Sequence, residues 1–196
     1  MDGQIARRIA GLAAAAALAV FLAAVSGSTL ALGAPAVLDL TVNSPADLPD
    51  VTQGDGACET APSNQVCTLR GAIQEANMHA GADTIHLQPN TTYVLDRGGD
   101  DNTALRGDLD ITDSVTLLGA GPNSTIIDGS GLAPADRIFQ ITGTVVISGV
   151  TIEHGSSTGG GGVLNSGRLT LINSVVMSNS VGAPMPGAAA STAAAR

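Results

Sequence analysis

Thr125-Ile126-Ile127-Asp128-Gly129 returns as Val150-Thr151-Ile152-Glu153-His154-Gly155, and again as Ser174-Val175-Val176-Met177-Ser178-Asn179. Ile127, Ile152 and Met177 stand 25 residues apart by their numbers. A second set keeps a similar beat: Val115/Leu117, Val145/Ile147 and Leu169/Leu171, with steps of 30 and then 24 residues. Short β-rich runs at such a period, parted by Gly, Asn and Ser, are the mark of a solenoid. One coil of this kind cannot bury its own apolar face, so neighbouring coils must stack.

A complete coil is written as Arg137 to Ile141, a turn, Thr144 to Ile147, a bend at Ser148-Gly149, then Val150 to Glu153. Three short strands per coil imply parallel pairing with the coils above and below, about 4.8 Å away. The core must come from Val, Ile, Leu and Ala, because the chain of 196 residues has no Trp, one Tyr and two Phe. Such β-branched and aliphatic residues suit layered pleated surfaces. Asn165 and Asn173 fall near bends, where side-chain amides hydrogen-bond turn backbone.

Upstream, Val37 to Val42 alternates as a first strand, and Asn43 to Gln65 is a loop rich in Pro, Asp and Gly. Thr68 to Ala80 is the one helical stretch expected past residue 36. Leu69, Ala72, Ile73 and Ala76 fall on one face, Thr68 is placed as N-cap and Gly81 at the C′ position. A helix there covers the open apolar end of the first coil. Strands are expected at Thr84–Leu87 and Thr92–Leu95, then a surface loop from Asp96 to Arg106. The expected organisation is an export segment over 1–36, a cap region over 37–106 with its helix at 68–80, coils over 107–180, and a disordered low-complexity tail over 181–196. No terminal cap follows Ser180, so the expectation is an array cut short after about three regular coils, or a last coil covered by a partner.

The export reading rests on Arg7 and Arg8 before an apolar run from Ile9 to Val25, then small residues with an A-x-A site ending at Ala36. Ala31-Leu32-Gly33 is a second cleavage candidate. The alternative is an uncleaved anchor, the run being near the lower length limit for a span. The Arg pair lacks the flanks of a twin-arginine signal. In an exported chain, Cys58 and Cys67 read as a disulfide. With no third Cys or nearby His, they make a poor zinc set. The net charge of −9, with every basic residue an Arg, excludes phosphate-backbone binding, so no nucleic-acid partner is expected.

The run Cys67-Thr68-Leu69-Arg70-Gly71-Ala72-Ile73-Gln74-Glu75-Ala76-Asn77 resembles the CSLREA-type N-terminal domain of secreted bacterial proteins. Gly54-Asp55-Gly56-Ala57-Cys58, Gly107-Asp108-Leu109-Asp110-Ile111, Ser124 to Gly129 and Gly160 to Gly167 extend the resemblance, which covers residues 37 to 180. It implies an all-β, right-handed, pectin-lyase-like parallel β-helix at the cell surface or in the medium. It carries no shared catalytic residues. One departure is physical: the family motif has a capping box, whereas Gly71 stands where its Glu would be. A Gly in the first turn weakens the helix by about 1 kcal/mol.

Candidate chemistry is sparse. Asp128 and Glu153 occupy the same slot in adjacent coils, pointing outward, with Ser178 expected next. Two carboxylates about 5–5.5 Å apart are the spacing of a retaining glycosidase, and they are also a weak calcium set. His154 beside them reads as an ordinary surface His. Asp108 and Asp110 share a face and form a second weak calcium candidate, with Asp100, Asp101 and Asp113 nearby. Arg106 and Arg137 are the only bases near these acids. Arg106-Gly107-Asp108 spells an adhesion tripeptide, and Asn90 and Asn123 open glycosylation sequons, both short enough to arise by chance. Gly159 to Gly162 precedes a strand, so it is a turn and not a phosphate cradle. No cofactor is expected beyond calcium. The expected function is a surface or secreted display module without catalysis, facing a cell-surface or glycan ligand. A polysaccharide lyase, glycosidase or carbohydrate binder is the alternative.

Overall fold

The computed structural model describes residues 37–99 and 101–182. The export segment, its cleavage residue Ala36 and nearly all of the low-complexity tail therefore lie outside the described residues. In chain order the elements are β1 (Asp39–Thr41), α1 (Leu69–Met78), β2 (Ala82–His86), β3 (Thr91–Val94), β4 (Leu109–Ile111), β5 (Ser114–Leu118), β6 (Thr125–Asp128) and β7 (Phe139–Ile141). They continue with β8 (Thr144–Ser148), β9 (Thr151–Glu153), β10 (Ser156–Ser157), β11 (Val163–Asn165), β12 (Arg168–Ile172), β13 (Val175–Met177) and β14 (Ser180–Val181). The described residues are thus mostly short strands with one helix.

Every strand pairing is parallel. The strands form a first sheet ordered β1-β2-β5-β8-β12, a second ordered β3-β6-β9-β13, a third ordered β4-β7-β11, and the pair β10-β14. From β2 onward the chain visits the first, second and third sheets in turn and then starts again. Each circuit adds one strand to each sheet, which is the stacking that the repeat demanded.

The registers fix the core. On the first sheet Leu40, Ile85, Leu117, Ile147 and Leu171 pair in a single row. On the second, Tyr93, Ile127, Ile152 and Val176 do the same. Leu109 and Ile111 of the third sheet pair with Phe139 and Ile141. These side chains are buried in every circuit except the last, where Leu171 is 42% and Val176 46% exposed. The expected steps of 30 and 24 between Val115, Val145 and Leu169 hold residue for residue. The second-sheet alignment needs correction: Ile152 faces Val176, and Met177 faces Glu153. The last circuit is one residue shorter, so the 25-residue step fails there.

Turns between sheets stack as closely as the strands. Gly143 lies against the carbonyl of Asp113, and Gly167 against the carbonyl of Gly143, so a Cβ at either position would collide with backbone. Asn165 caps the turn before Gly167 by accepting its N–H at 3.1 Å.

The helix is shorter than expected, ending at Met78 with His79 as an extended C-cap. Gly81 stands two residues beyond this cap, with φ of 147°, and so is not the C′ residue. Thr68 is the N-cap: its hydroxyl oxygen accepts the Gly71 N–H at 3.0 Å and its O–H donates to the Leu48 carbonyl at 2.6 Å. Gly71 also has a packing reason. A Cβ there would approach Thr68 Oγ1 at 3.1 Å, with Cys58 Sγ and the Asp50 nitrogen at 3.5 Å. Leu69, Ala72, Ile73 and Ala76 join the same apolar cluster as Leu40, Ile85 and Tyr93. Cys58 and Cys67 form the expected disulfide just ahead of the helix. Closing a loop of that length contributes about 2–3 kcal/mol by chain entropy.

Candidate functional site

Two groups of titratable side chains stand out, one inside and one outside the ladders. The inner group lies on the third sheet. Asp108 and Asp110 flank Leu109, and both are buried, with residues 101–107 folded against them. The sequence reads as a surface loop from Asp96 to Arg106. Ala104 within it is fully buried, and its N–H donates to Asp110 Oδ2 at 3.0 Å. Arg137 reaches across from the next circuit and donates to Asp108 Oδ2 at 3.1 Å, to Gln140 at 2.7 Å and to Ser157 at 3.1 Å. Asp108 Oδ1 and Arg137 Nε have no hydrogen-bond partner.

Burial pushes the Asp108 carboxyl up to about 7, and the charges of Asp110 and Asp136 push the same way against the pull of Arg137. Burial likewise raises Asp110 to about 6, against the Ala104 N–H. These two acids belong to a buried polar layer that Arg137 and the Ala104 N–H partner. The tripeptide Arg106-Gly107-Asp108 is also not on display, because its Asp is fully buried.

The helix supplies the rest of this layer. Arg70, fully buried, makes a fork-to-fork pair with Asp47, Nε to Oδ1 at 2.5 Å and Nη2 to Oδ2 at 3.1 Å. Its remaining donors reach the carbonyls of Ala104, Gly107 and Asp108. Asp47 in turn accepts the N–H groups of Asp96 and Arg97. Glu75 accepts from Gly54 and Gly56, and burial raises its pKa against those bonds. Gln74 and Asn77 bridge to backbone of Asp50, Ala104, Asp110 and Thr112. The sequence offered one cue to this layer: Arg70, Gln74 and Asn77 recur at helical spacing beside the apolar face.

The outer group is Asp128, Glu153 and His154. Register places Asp128 directly beside Glu153, as expected, and the next residue in that row is Met177 in place of Ser178. His154 leaves the ladder at φ of 62°, which turns its ring back over the strand pair. Its Nδ1 lies 3.1 Å from Asp128 Oδ1 and 3.9 Å from Glu153 Oε1. One ligand atom from each of the three lies within 4.8 Å of the others. Burial favours the neutral Asp128 carboxyl, but the Ser130 N–H and hydroxyl and the His154 ring prevail and hold it below its ordinary value. These hydrogen bonds favour the ionised carboxylate. Asn179 pins the turn from the following circuit, accepting the Gly155 N–H at 2.8 Å and donating to the Ile152 carbonyl at 2.9 Å.

Hollows are small. One of about 250 Å³ borders the disulfide and Asp39, Asn43 and Glu59; another of about 200 Å³ lies among Gln53, Asn102 and Met78. Tyr93 and Phe139, the aromatic residues among those described, are both buried. No helix among the described residues is long and apolar enough to cross a membrane. Comparison with protein-family models, curated proteins and solved structures gave no match for this chain.

Proposed function

We propose that the chain is an exported, right-handed parallel β-helix of the pectin-lyase-like kind, opening on a CSLREA-type cap and serving as a structural or adhesive display module without catalysis. The observation that carries this reading is the unbroken parallel register through three sheets visited in rotation. Such a stack offers a long rigid surface whose stability is shared between neighbours. The disulfide accords with an oxidising destination outside the cytoplasm. The partners on this reading are a cell-surface or glycan ligand and further coils of a longer parent protein.

The second reading, a polysaccharide-active enzyme or glycan binder, draws on Asp128 and Glu153 sharing one outer row. A retaining pair needs one carboxyl as acid and the other as ionised nucleophile, and the lowered Asp128 suits only the second role. Sugar binding also favours exposed aromatic faces, and both described rings are buried. Two measurements test the display reading. Cells expressing the full chain are fractionated and the exported form is sequenced from its N-terminus, with Val37 expected first. The exported protein is then screened against plant and bacterial glycans for reducing-end release. Turnover that Asp128→Asn or Glu153→Gln abolishes would replace display with catalysis.

A further inference from the structure

We infer that Asp128, Glu153 and His154 form a binding site for a borderline divalent metal ion of the zinc type, held on the outer face across two consecutive circuits. The inference stands on the geometry of three side chains and does not depend on the display reading.

The donor set is mixed. Two carboxylates arrive from paired strands, one residue above the other. The imidazole arrives from the turn, where His154 holds a left-handed φ of 62° and places Nδ1 beside both carboxylates. Zinc–nitrogen and zinc–oxygen bonds of about 2.0–2.1 Å at a tetrahedral angle put neighbouring ligand atoms about 3.3 Å apart. The 3.1 Å between Nδ1 and Asp128 Oδ1 already matches. The 3.9 Å to Glu153 Oε1 closes by a sub-ångström swing of a side chain that solvent reaches.

Donor chemistry selects the ion. Calcium and magnesium take oxygen, whereas imidazole suits zinc and its first-row neighbours. The nitrogen therefore moves the expectation for this pair of acids from calcium to zinc. The orienting partners of a metal site are also present. Asp128 Oδ1 accepts the Ser130 N–H at 2.8 Å, which fixes the carboxylate. Asn179 holds the turn that carries His154. Three protein ligands leave at least one coordination position to water. The ion would tie β6 to β9 through side chains as well as backbone.

The test is isothermal titration of the untagged full-length chain with zinc chloride, and separately with calcium chloride, in a non-chelating buffer. One zinc per chain is expected, with calcium failing to compete. His154→Asn keeps a residue that tolerates the left-handed turn. It is expected to weaken zinc binding by about tenfold or more, because losing even an orienting partner of a ligand costs about 10–100-fold. Glu153→Gln is expected to weaken it similarly. His86→Ala, which removes an imidazole paired with Asp39 on the first sheet, leaves binding unchanged. Circular dichroism and the metal-free melting temperature of each variant confirm that the fold is kept. Absence of a stoichiometric zinc site, zinc binding that survives His154→Asn unchanged, or calcium binding as tight as zinc would each overturn the assignment.

Discussion

The first circuits and the last described one are built from the same rows and end differently. At the first end, α1 lies against β2, β4 and β5, and its Leu69, Ile73 and Ala76 are buried in one apolar cluster with Ile85, Leu109 and Leu117. At the other, Leu171, Ile172, Val175, Val176 and Met177 continue the ladders with 40% to 51% of each residue exposed. What separates the two ends is a layer of polar side chains at the first end. A helix laid over strand ends must satisfy loop backbone that is cut off from water. Arg70, Gln74, Glu75 and Asn77 do so, and the apolar face of the helix can then be used. Closure of a stack is thus a hydrogen-bonding problem before it is a hydrophobic one.

The sharpest way to break the comparison is at Arg70. Its guanidinium meets Asp47 and three carbonyls with no solvent in reach. Arg70→Ala leaves buried Asp47 without its cationic partner and takes the Arg70 donors from the Gly107 and Asp108 carbonyls, at a cost of about 3–5 kcal/mol. The expected outcome in urea melts is a large fall in midpoint. The double variant Arg70→Met with Asp47→Leu should recover part of the loss, since an apolar pair leaves no orphaned charge. If Arg70→Ala melts like the parent, the polar layer does not hold the cap.

A second comparison sharpens the difference within a single row. Leu117 and Leu171 are equivalent residues two circuits apart. Leu117 is fully buried, so Leu117→Ala should cost about 2–5 kcal/mol through lost transfer energy and a cavity. Leu171 is 42% exposed, and Leu171→Ala should cost well under half as much. Equal losses in thermal melts would mean that something covers the last circuit in solution.

The same contrast explains what could be read from sequence. The rows through Leu117, Ile147 and Leu171 are legible because each strand alternates and each turn is marked by Gly or Asn. The pairing of Asp128 with Glu153 follows from the same beat. Val176 falls out of step because one residue is lost between the second and third sheets: Ile127 to Phe139 is 12 residues and Ile152 to Val163 is 11, whereas the bend at Asn173 is as long as the one at Gly149. A residue dropped in a turn leaves the apolar pattern intact and shifts its partners. The Arg70–Asp47 pair was illegible for another reason. Its acid sits in an aperiodic loop 23 residues away, and no local rule links them. His154 looked solitary because its role depends on a backbone reversal, which sequence spacing does not encode. The buried state of Asp108 was missed because it follows from a loop folding over the sheet.

The smallest expected effect lies in that buried state and concerns pH. In the unfolded chain Asp108 and Asp110 titrate near 3.8, and in the folded protein near 7 and 6. Between these limits the folded state binds more protons than the unfolded one, so stability falls as pH rises. Their contribution is fully present below about pH 4 and is lost by about pH 7. Glu75, raised by burial, slopes the same way, whereas Asp101 and Asp128 are lowered and lose their contributions as pH falls. Those two act below the ordinary carboxylate range, outside the window in which Asp108 and Asp110 titrate, and the test is a difference between variants. Asp108→Asn removes the titration and keeps the shape, so its stability should gain on the parent as pH rises from 5 to 8. Urea midpoints measured at several pH values for both chains check this directly. Parallel curves would mean that Arg137 keeps Asp108 ionised throughout, and that charge pairing across circuits outweighs burial in this layer.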